Sequence, residues 1–241
     1  MKNKNFIQKI KERNKYATNK RPFFYDLAGK YLSKDDEGVV VDIGSGYGFF
    51  ADYLNLRSKY KNVFLLDADP EVLKKVENSV LYKAPDKLPF NNNAVNFIHC
   101  SHLIEHLNTE DFFVFLREID RVLEKNGILV ISAPLLDYRF YEGLAHIRPY
   151  GPEGIINYMC RESEKGNKKT IAGADGGFIS DKYIVKELVY RYTRDLPDSE
   201  WGSKYFIVSL FMKVIRKIIS LLGFYKYTRN GYTLILEKHN G

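Results

Sequence analysis

The chain has 241 residues, 45% of them hydrophobic and 28% charged, a soluble globular profile that excludes a disordered chain and suffices for one α/β domain of ordinary size. Its two cysteines supply neither a disulfide framework nor metal-ligand spacing, so no metal site is expected. The net charge of +7 is uneven: residues 1–34 carry +8 and the remainder −1. Such a bias suits an anionic partner, a polyanion or a membrane surface, and equally a solvated basic helix. The charged N-terminus lacks an apolar segment followed by small residues, which predicts no secretory signal and a cytoplasmic location.

Asn5 to Lys20 predicts a short polar helix with Phe6, Ile7 and Ile10 on its apolar face. Pro22 can start a second helix through Leu32, in which Phe24, Leu27, Ala28, Tyr31 and Leu32 recur at helical spacing. Asp35 to Gly38 then turn into a strand whose Val39, Val40, Val41 and Ile43 read as buried on both faces, as in a parallel sheet. Gly44, Gly46 and Gly48 break that strand into a tight loop, and a helix over Tyr47–Leu56 follows. Strand, glycine loop and helix mark the edge where open α/β sheets bind nucleotide-like ligands. A dinucleotide loop wants G-x-G-x-x-G, but here the sixth position is Phe49 and the third glycine is Gly48. Asp42, two residues ahead of the loop, would repel a pyrophosphate and suits a cationic ligand. S-adenosylmethionine, with its ammonium, sulfonium and adenosine, answers that demand.

Asp42-x-Gly44-x-Gly46-x-Gly48 resembles the first motif of the class I S-adenosylmethionine-dependent methyltransferases, within them the type-11 methyltransferase domain. The resemblance covers roughly Val39 to Pro134. It implies a doubly wound, mostly parallel seven-stranded sheet with an antiparallel C-terminal hairpin and a cap inserted after the fifth strand. It also implies that a helix ahead of the first strand covers cofactor or substrate, which would bring Tyr16, Arg21 and Tyr25 toward the methionine end.

The second strand, Asn62 to Leu66, ends in Asp67, 19 residues past Gly48, where a carboxylate can accept both hydroxyl protons of a ribose. Ala68 follows it, and Asp69 is placed to cap the next helix. A third strand, Val80–Lys83, leads to Leu88-Pro89-Phe90; where the family places an adenine-binding acid this chain has Ala84-Pro85, and Asp86 is the candidate substitute. The fourth strand, Val95–Ser101, brings Ser101 and His102 to the presumed methionine moiety, followed by the family-like run Glu105-His106-Leu107. An unperturbed imidazole titrates near neutrality, so His102 and His106 are candidate bases, although His106 can equally pin the loop. Thr109 is expected to cap a helix over Asp111–Leu123, ended by Asn126-Gly127, before the fifth strand, Ile128–Ser132.

Residues 135–200 break the βα rhythm and are expected to form the substrate cap, with a helix over Asp181–Thr193. His146 in Ala-His-Ile-Arg-Pro-Tyr resembles a histidine at the substrate mouth of such enzymes and is the preferred catalytic base, with Tyr138, Arg139, Arg148 and Tyr150 as sequence neighbours. Residues 1–134 thus make the N-terminal helices and cofactor half, and 201–241 complete the domain. Phe206–Leu222 reads as a helix with three cations, too short for the ~20 residues of a membrane span; it packs on the core or lies on an anionic membrane. Asn230-Gly231 signals a hairpin between Phe224–Arg229 and Tyr232–Glu237.

These readings predict O-methylation of a small molecule, glycan or lipid-linked acceptor, with S-adenosylmethionine as cofactor and nucleic acid the less favoured partner. An RNA methyltransferase using the basic N-terminal arm and a non-catalytic binding protein remain the alternatives.

Overall fold

The computed structural model describes residues 6–17, 22–160, 179–195, 211, 214–215 and 226–239. The chain divides into two compact units, Lys20–Val189 with Gly231–Gly241, and Met1–Asn19 with Tyr190–Asn230.

In the larger unit α2 (Pro22–Gly29) precedes β1 (Val39–Ile43), whose last four residues are buried. The helix expected over Tyr47–Leu56 is two short ones, α3 (Phe49–Tyr53) and α4 (Leu56–Lys59), because Asn55 adopts a left-handed φ of 54° that no continuous helix allows. β2 (Asn62–Asp67) follows, then α5 (Pro70–Leu73), which Asp69 caps by accepting the Glu71 N–H at 2.9 Å, as expected. β3 is Ser79–Leu81 and β4 is Val95–Ser101.

A 3₁₀ turn at Ile104–His106 leads to α6 (Thr109–Val122), which buries Phe112, Phe115, Leu116, Ile119 and Val122 along one face. Its cap is Asn108, not the expected Thr109: Asn108 stays extended and its side chain accepts the Asp111 N–H at 2.8 Å. β5 runs Leu123–Pro134.

The segment after β5 holds a 3₁₀ turn at Phe140–Glu142 and α7 (Pro152–Met159). The helix expected over Asp181–Thr193 is a strand instead, β6 (Tyr183–Asp195). Its β-branched and aromatic residues fit a pleated surface, and Tyr183 and Val189, an even number of positions apart, are both buried. β7 spans Lys226–Lys238 and passes straight through Asn230-Gly231. Neither residue has the positive φ of a hairpin turn, since pairing with β5 holds Gly231 extended opposite Pro134. The helix expected over Phe206–Leu222 lies outside the described residues except at Phe211, Val214 and Ile215, as does the glycine cluster at 173–177.

The seven strands form one sheet in the order β3-β2-β1-β4-β5-β7-β6. The pairs from β3 to β5 are parallel and β5/β7 is antiparallel, the fold class that the sequence predicts. The connections reverse direction between β1 and β4, so the crevice beyond their carboxyl ends is the topological switch point where such sheets take ligands. In the smaller unit, α1 (Phe6–Tyr16) meets β7 through the Tyr227 hydroxyl, which donates to Asn14, and Arg191 donates to Asn230 at 3.3 Å.

Candidate cofactor and acceptor site

The glycine loop begins where β1 ends. The amides of Gly44 and Ser45 both donate to the Leu66 carbonyl, at 2.8 and 3.0 Å, which folds the loop back on the end of β2. All three glycines have positive φ: 72°, 52° and 78°. Packing alone explains two of them. A Cβ on Gly44 would stand 3.0 Å from Leu103, and one on Gly48 3.2 Å from Leu65. Gly46 is different, because a Cβ there would meet nothing within 4 Å. Its backbone borders open space, the cradle a ligand needs for close approach.

Asp67 lies beside that space. Its Oδ2 accepts the Gly46 N–H at 2.8 Å and its Oδ1 the Asp69 N–H at 2.9 Å. Two backbone donors fix the carboxylate, and each oxygen keeps a second lone pair for a ligand. This donor set fits an adenosyl group: an oriented carboxylate for the ribose diol and a side-chain-free loop beside it. Ala68 follows at the edge. Asp42 is placed elsewhere, in the interior, with its Oδ1 2.7 Å from Nδ1 of His99 on β4. Phe50 stacks on that imidazole at 3.7 Å, and Tyr25, expected near the methionine end, packs edge-on against it at 6.0 Å. Arg21 lies outside the described residues.

On the adenine side, Asp86 is exposed in the turn after β3, its amide donating to Lys83 O at 2.9 Å. What holds this loop is a pair that sequence reasoning missed. Glu118 on α6 accepts the Leu88 N–H at 2.9 Å, while Arg121 donates to Glu118 and to the carbonyls of Leu88 and Phe90. The Arg121 guanidinium holds the Glu118 carboxyl below its ordinary range. An acid and a base three apart on a helix are a common surface pattern, and only the fold reveals the loop they grip.

At the end of β4, Ser101 pairs with Ser132 of β5, and His102 takes a φ of 55° as its amide reaches Ser132 O at 2.9 Å. A left-handed non-glycine residue costs about 1–3 kcal/mol, so the exit angle of the chain is fixed by its surroundings. His102 Nδ1 lies 3.1 Å from Glu105 Oε1, and Glu105 is 1% exposed. The main chain of Glu105 holds the segment after β5, its carbonyl accepting the amides of Ile147 and Arg148 at 2.8 and 3.3 Å. Arg148 also donates to Thr109, Tyr150 to Leu107 O, and Tyr232 to Tyr150 O.

These bonds bring His146, 40 residues away in sequence, against His106, with ring centroids 5.1 Å apart. His146 Nδ1 lies 2.6 Å from Phe140 O and His106 Nδ1 2.9 Å from Ala145 O. The two expected bases are therefore held differently, His102 on a carboxylate and His146 on a carbonyl. Cys100 and Cys160 are buried, and burial pushes both thiols up, Cys160 to about 12, which removes them as nucleophiles. No helix among the described residues is long and apolar enough to cross a membrane.

Residues 41–131 match the methyltransferase domain family. An uncharacterized protein of Methanocaldococcus jannaschii is 30% identical over 107 residues, 44% of each chain, so the chain spans under half the length of this curated relative. A SAM-dependent methyltransferase from Archaeoglobus fulgidus superposes with a TM-score of 0.55 at 18% identity, over 97% of this chain and 100% of that one. The YcgJ protein of Bacillus subtilis gives 0.55 at 16% identity, over 90% and 98%. At these identities the structures establish the fold, and the domain match covers the glycine loop, Asp67 and the whole end of β4. Residues 41–131 thus match the methyltransferase domain model, on a sheet with the fold of the SAM-dependent methyltransferase it superposes on.

Proposed function

We propose that the chain transfers a methyl group from S-adenosylmethionine to a hydroxyl of a small molecule, glycan or lipid-linked acceptor. The observation that carries this reading is the Gly46–Asp67 pairing: a backbone amide orients a carboxylate beside an open glycine surface at the switch point of the sheet. Asp67 would hold the ribose hydroxyls, the open side of Gly46 would admit the adenosyl group, and the end of β4 from Ser101 would border its methionine portion. When bound, the cofactor supplies a methyl already activated on a sulfonium. The protein's part is to place the acceptor oxygen in line, which can contribute ~7–11 kcal/mol.

His102 is the favoured proton acceptor. Its Nδ1 faces the Glu105 carboxylate, which leaves the lone pair of the neutral ring on Nε2, the arrangement of a base backed by an orienting acid. The acceptor class draws support from the cap, where Leu136, Tyr138, Tyr141, Leu144 and Ile147 are all exposed. Apolar and aromatic side chains of this kind suit a glycan face or a lipid chain, and the basic N-terminal residues suit an anionic surface on which a lipid-linked acceptor would be presented.

The test is calorimetric titration with S-adenosylhomocysteine and with NAD, then a labelled-methyl screen over sugars, lipids, quinones and RNA. Homocysteine-form binding without NAD binding, and label on a hydroxyl, is the expected result. Label on RNA would overturn the acceptor class, and absence of affinity for either cofactor would overturn the enzymatic reading.

A further inference from the structure

The same loop contact that brings His146 to His106 assembles a set of ligating atoms that no stretch of sequence displays. Glu105, His106 and His146 each offer one ligating atom, all within 4.8 Å of one another. Both imidazoles face main-chain carbonyls through Nδ1, and a carbonyl oxygen can only accept. In its neutral form each ring therefore carries its proton on Nδ1 and a lone pair on Nε2. This is how metal-binding histidines are fixed in tautomer and orientation, by an outer hydrogen bond that points the other nitrogen at the ion.

Glu105 supplies the third element. Its Oε1 is engaged by His102, but its Oε2 is buried and has no hydrogen-bond partner. Such an oxygen is costly to bury unless something else satisfies it, and a cation does.

We propose that Glu105, His106 and His146 bind a divalent transition-metal ion, zinc being the best chemical fit. Two imidazoles and one carboxylate suit zinc, whereas magnesium and calcium favour oxygen ligands throughout. Ligand distances of ~2.0–2.2 Å put tetrahedral donors roughly 3.3–3.5 Å apart, so the site closes by on the order of an ångström. Exposed His106 can supply that movement. Three protein ligands leave the fourth position open, as in catalytic rather than structural zinc sites. That position receives an oxygen of the acceptor, a part of the inference that rests on the methyl-transfer reading above. His102 is then the outer partner of the ligating carboxylate as well as the neighbouring base, and the ion fastens the 140–148 loop to the end of β4.

The experiment uses the full chain without an affinity tag, stripped with a chelator. It is titrated with Co²⁺ followed by visible absorption, and with Zn²⁺ in competition with a chromophoric chelator. One equivalent is expected, with the intense visible bands of a four- or five-coordinate Co²⁺. Because His106 is exposed, His106→Ala should fold, and it should weaken binding by at least about 100-fold, as should His146→Ala; removing the outer partner in His102→Ala should cost about 10- to 100-fold. Absence of a stoichiometric cobalt signal in the wild type, or binding unchanged in both His106→Ala and His146→Ala, overturns the site. S-adenosylhomocysteine affinity is measured in parallel. An ion that binds to a chain without cofactor affinity defeats the methyl-transfer reading and leaves the metal site standing, and cofactor binding without the ion does the reverse.

Discussion

Asp42 and His99, side by side on β1 and β4, form a buried pair 2.7 Å long with each side chain about 5% exposed or less. The acid that stands closest in sequence to the glycine loop thus acts on the imidazole of the next strand, under Phe50 and Tyr25. Removing one member leaves the other buried without its hydrogen-bond partner, a loss of about 1–3 kcal/mol. His99→Leu is therefore expected to lower the unfolding free energy by that amount in chemical denaturation. The double variant Asp42→Leu/His99→Leu should recover a large part of it, since no polar group is then stranded.

At the cofactor loop, fold and binding should separate. If Asp67 holds the ribose as proposed, Asp67→Ala would remove two charge-assisted hydrogen bonds, each worth roughly 1.5–3 kcal/mol, so S-adenosylhomocysteine affinity should fall by about 100-fold or more by calorimetry. Gly46→Ala meets no neighbouring atom but is strained at φ +52°, costing roughly 1–2 kcal/mol of stability, and its methyl group enters the ligand's side. Gly44→Ala carries the same strain and also strikes Leu103, so its larger cost appears in thermal unfolding.

His102→Ala should lower kcat by about 10²–10⁴-fold while cofactor affinity changes little, the pattern of a lost proton acceptor. Steady-state kinetics beside calorimetry separate this from collapse of the β4 exit, which would impair both.

Glu118 gives the chain a component of acid sensitivity. Its pKa is lowered chiefly by the hydrogen bond from Arg121, with further lowering from the Leu88 amide opposed by burial. A carboxyl whose folded pKa lies below its unfolded value stabilises the fold fully above the unfolded value, ~4.3 for glutamate, and loses that contribution as pH falls through the folded one. Glu118→Gln should therefore be less stable than wild type at neutral pH, and the difference should shrink below about pH 4. Denaturation midpoints collected from pH 7 to pH 3 check this.

Local pattern carried the cofactor half and failed where distant partners decide. Val39–Ile43, the three glycines and the Asp69 cap are legible because strand burial, positive φ and helix capping are local demands. The helix expected over Asp181–Thr193 is a strand in the structure; apolar residues at positions 183, 184, 185, 188 and 189 satisfy a helical count as readily as a strand. Only the edge of β7 chooses between them. Asn230-Gly231 departs from expectation for the reverse reason: the dipeptide allows a turn, but the β5 ladder extends it. The grouping of Glu105, His106 and His146 depends on a loop returning 40 residues later, and no periodicity encodes a return.

Besides the side-chain bonds of Arg148, Tyr150 and Tyr232, the segment after β5 meets the scaffold through two amides, those of Ile147 and Arg148, on the carbonyl of Glu105. Peptide groups are the same whatever side chains they carry. A loop of quite different composition could be seated on the same carbonyl, so if this segment selects the acceptor as proposed, that preference is separable from the machinery beneath it. Engineering a new specificity here means rewriting residues 136–144 while leaving two N–H groups where they are.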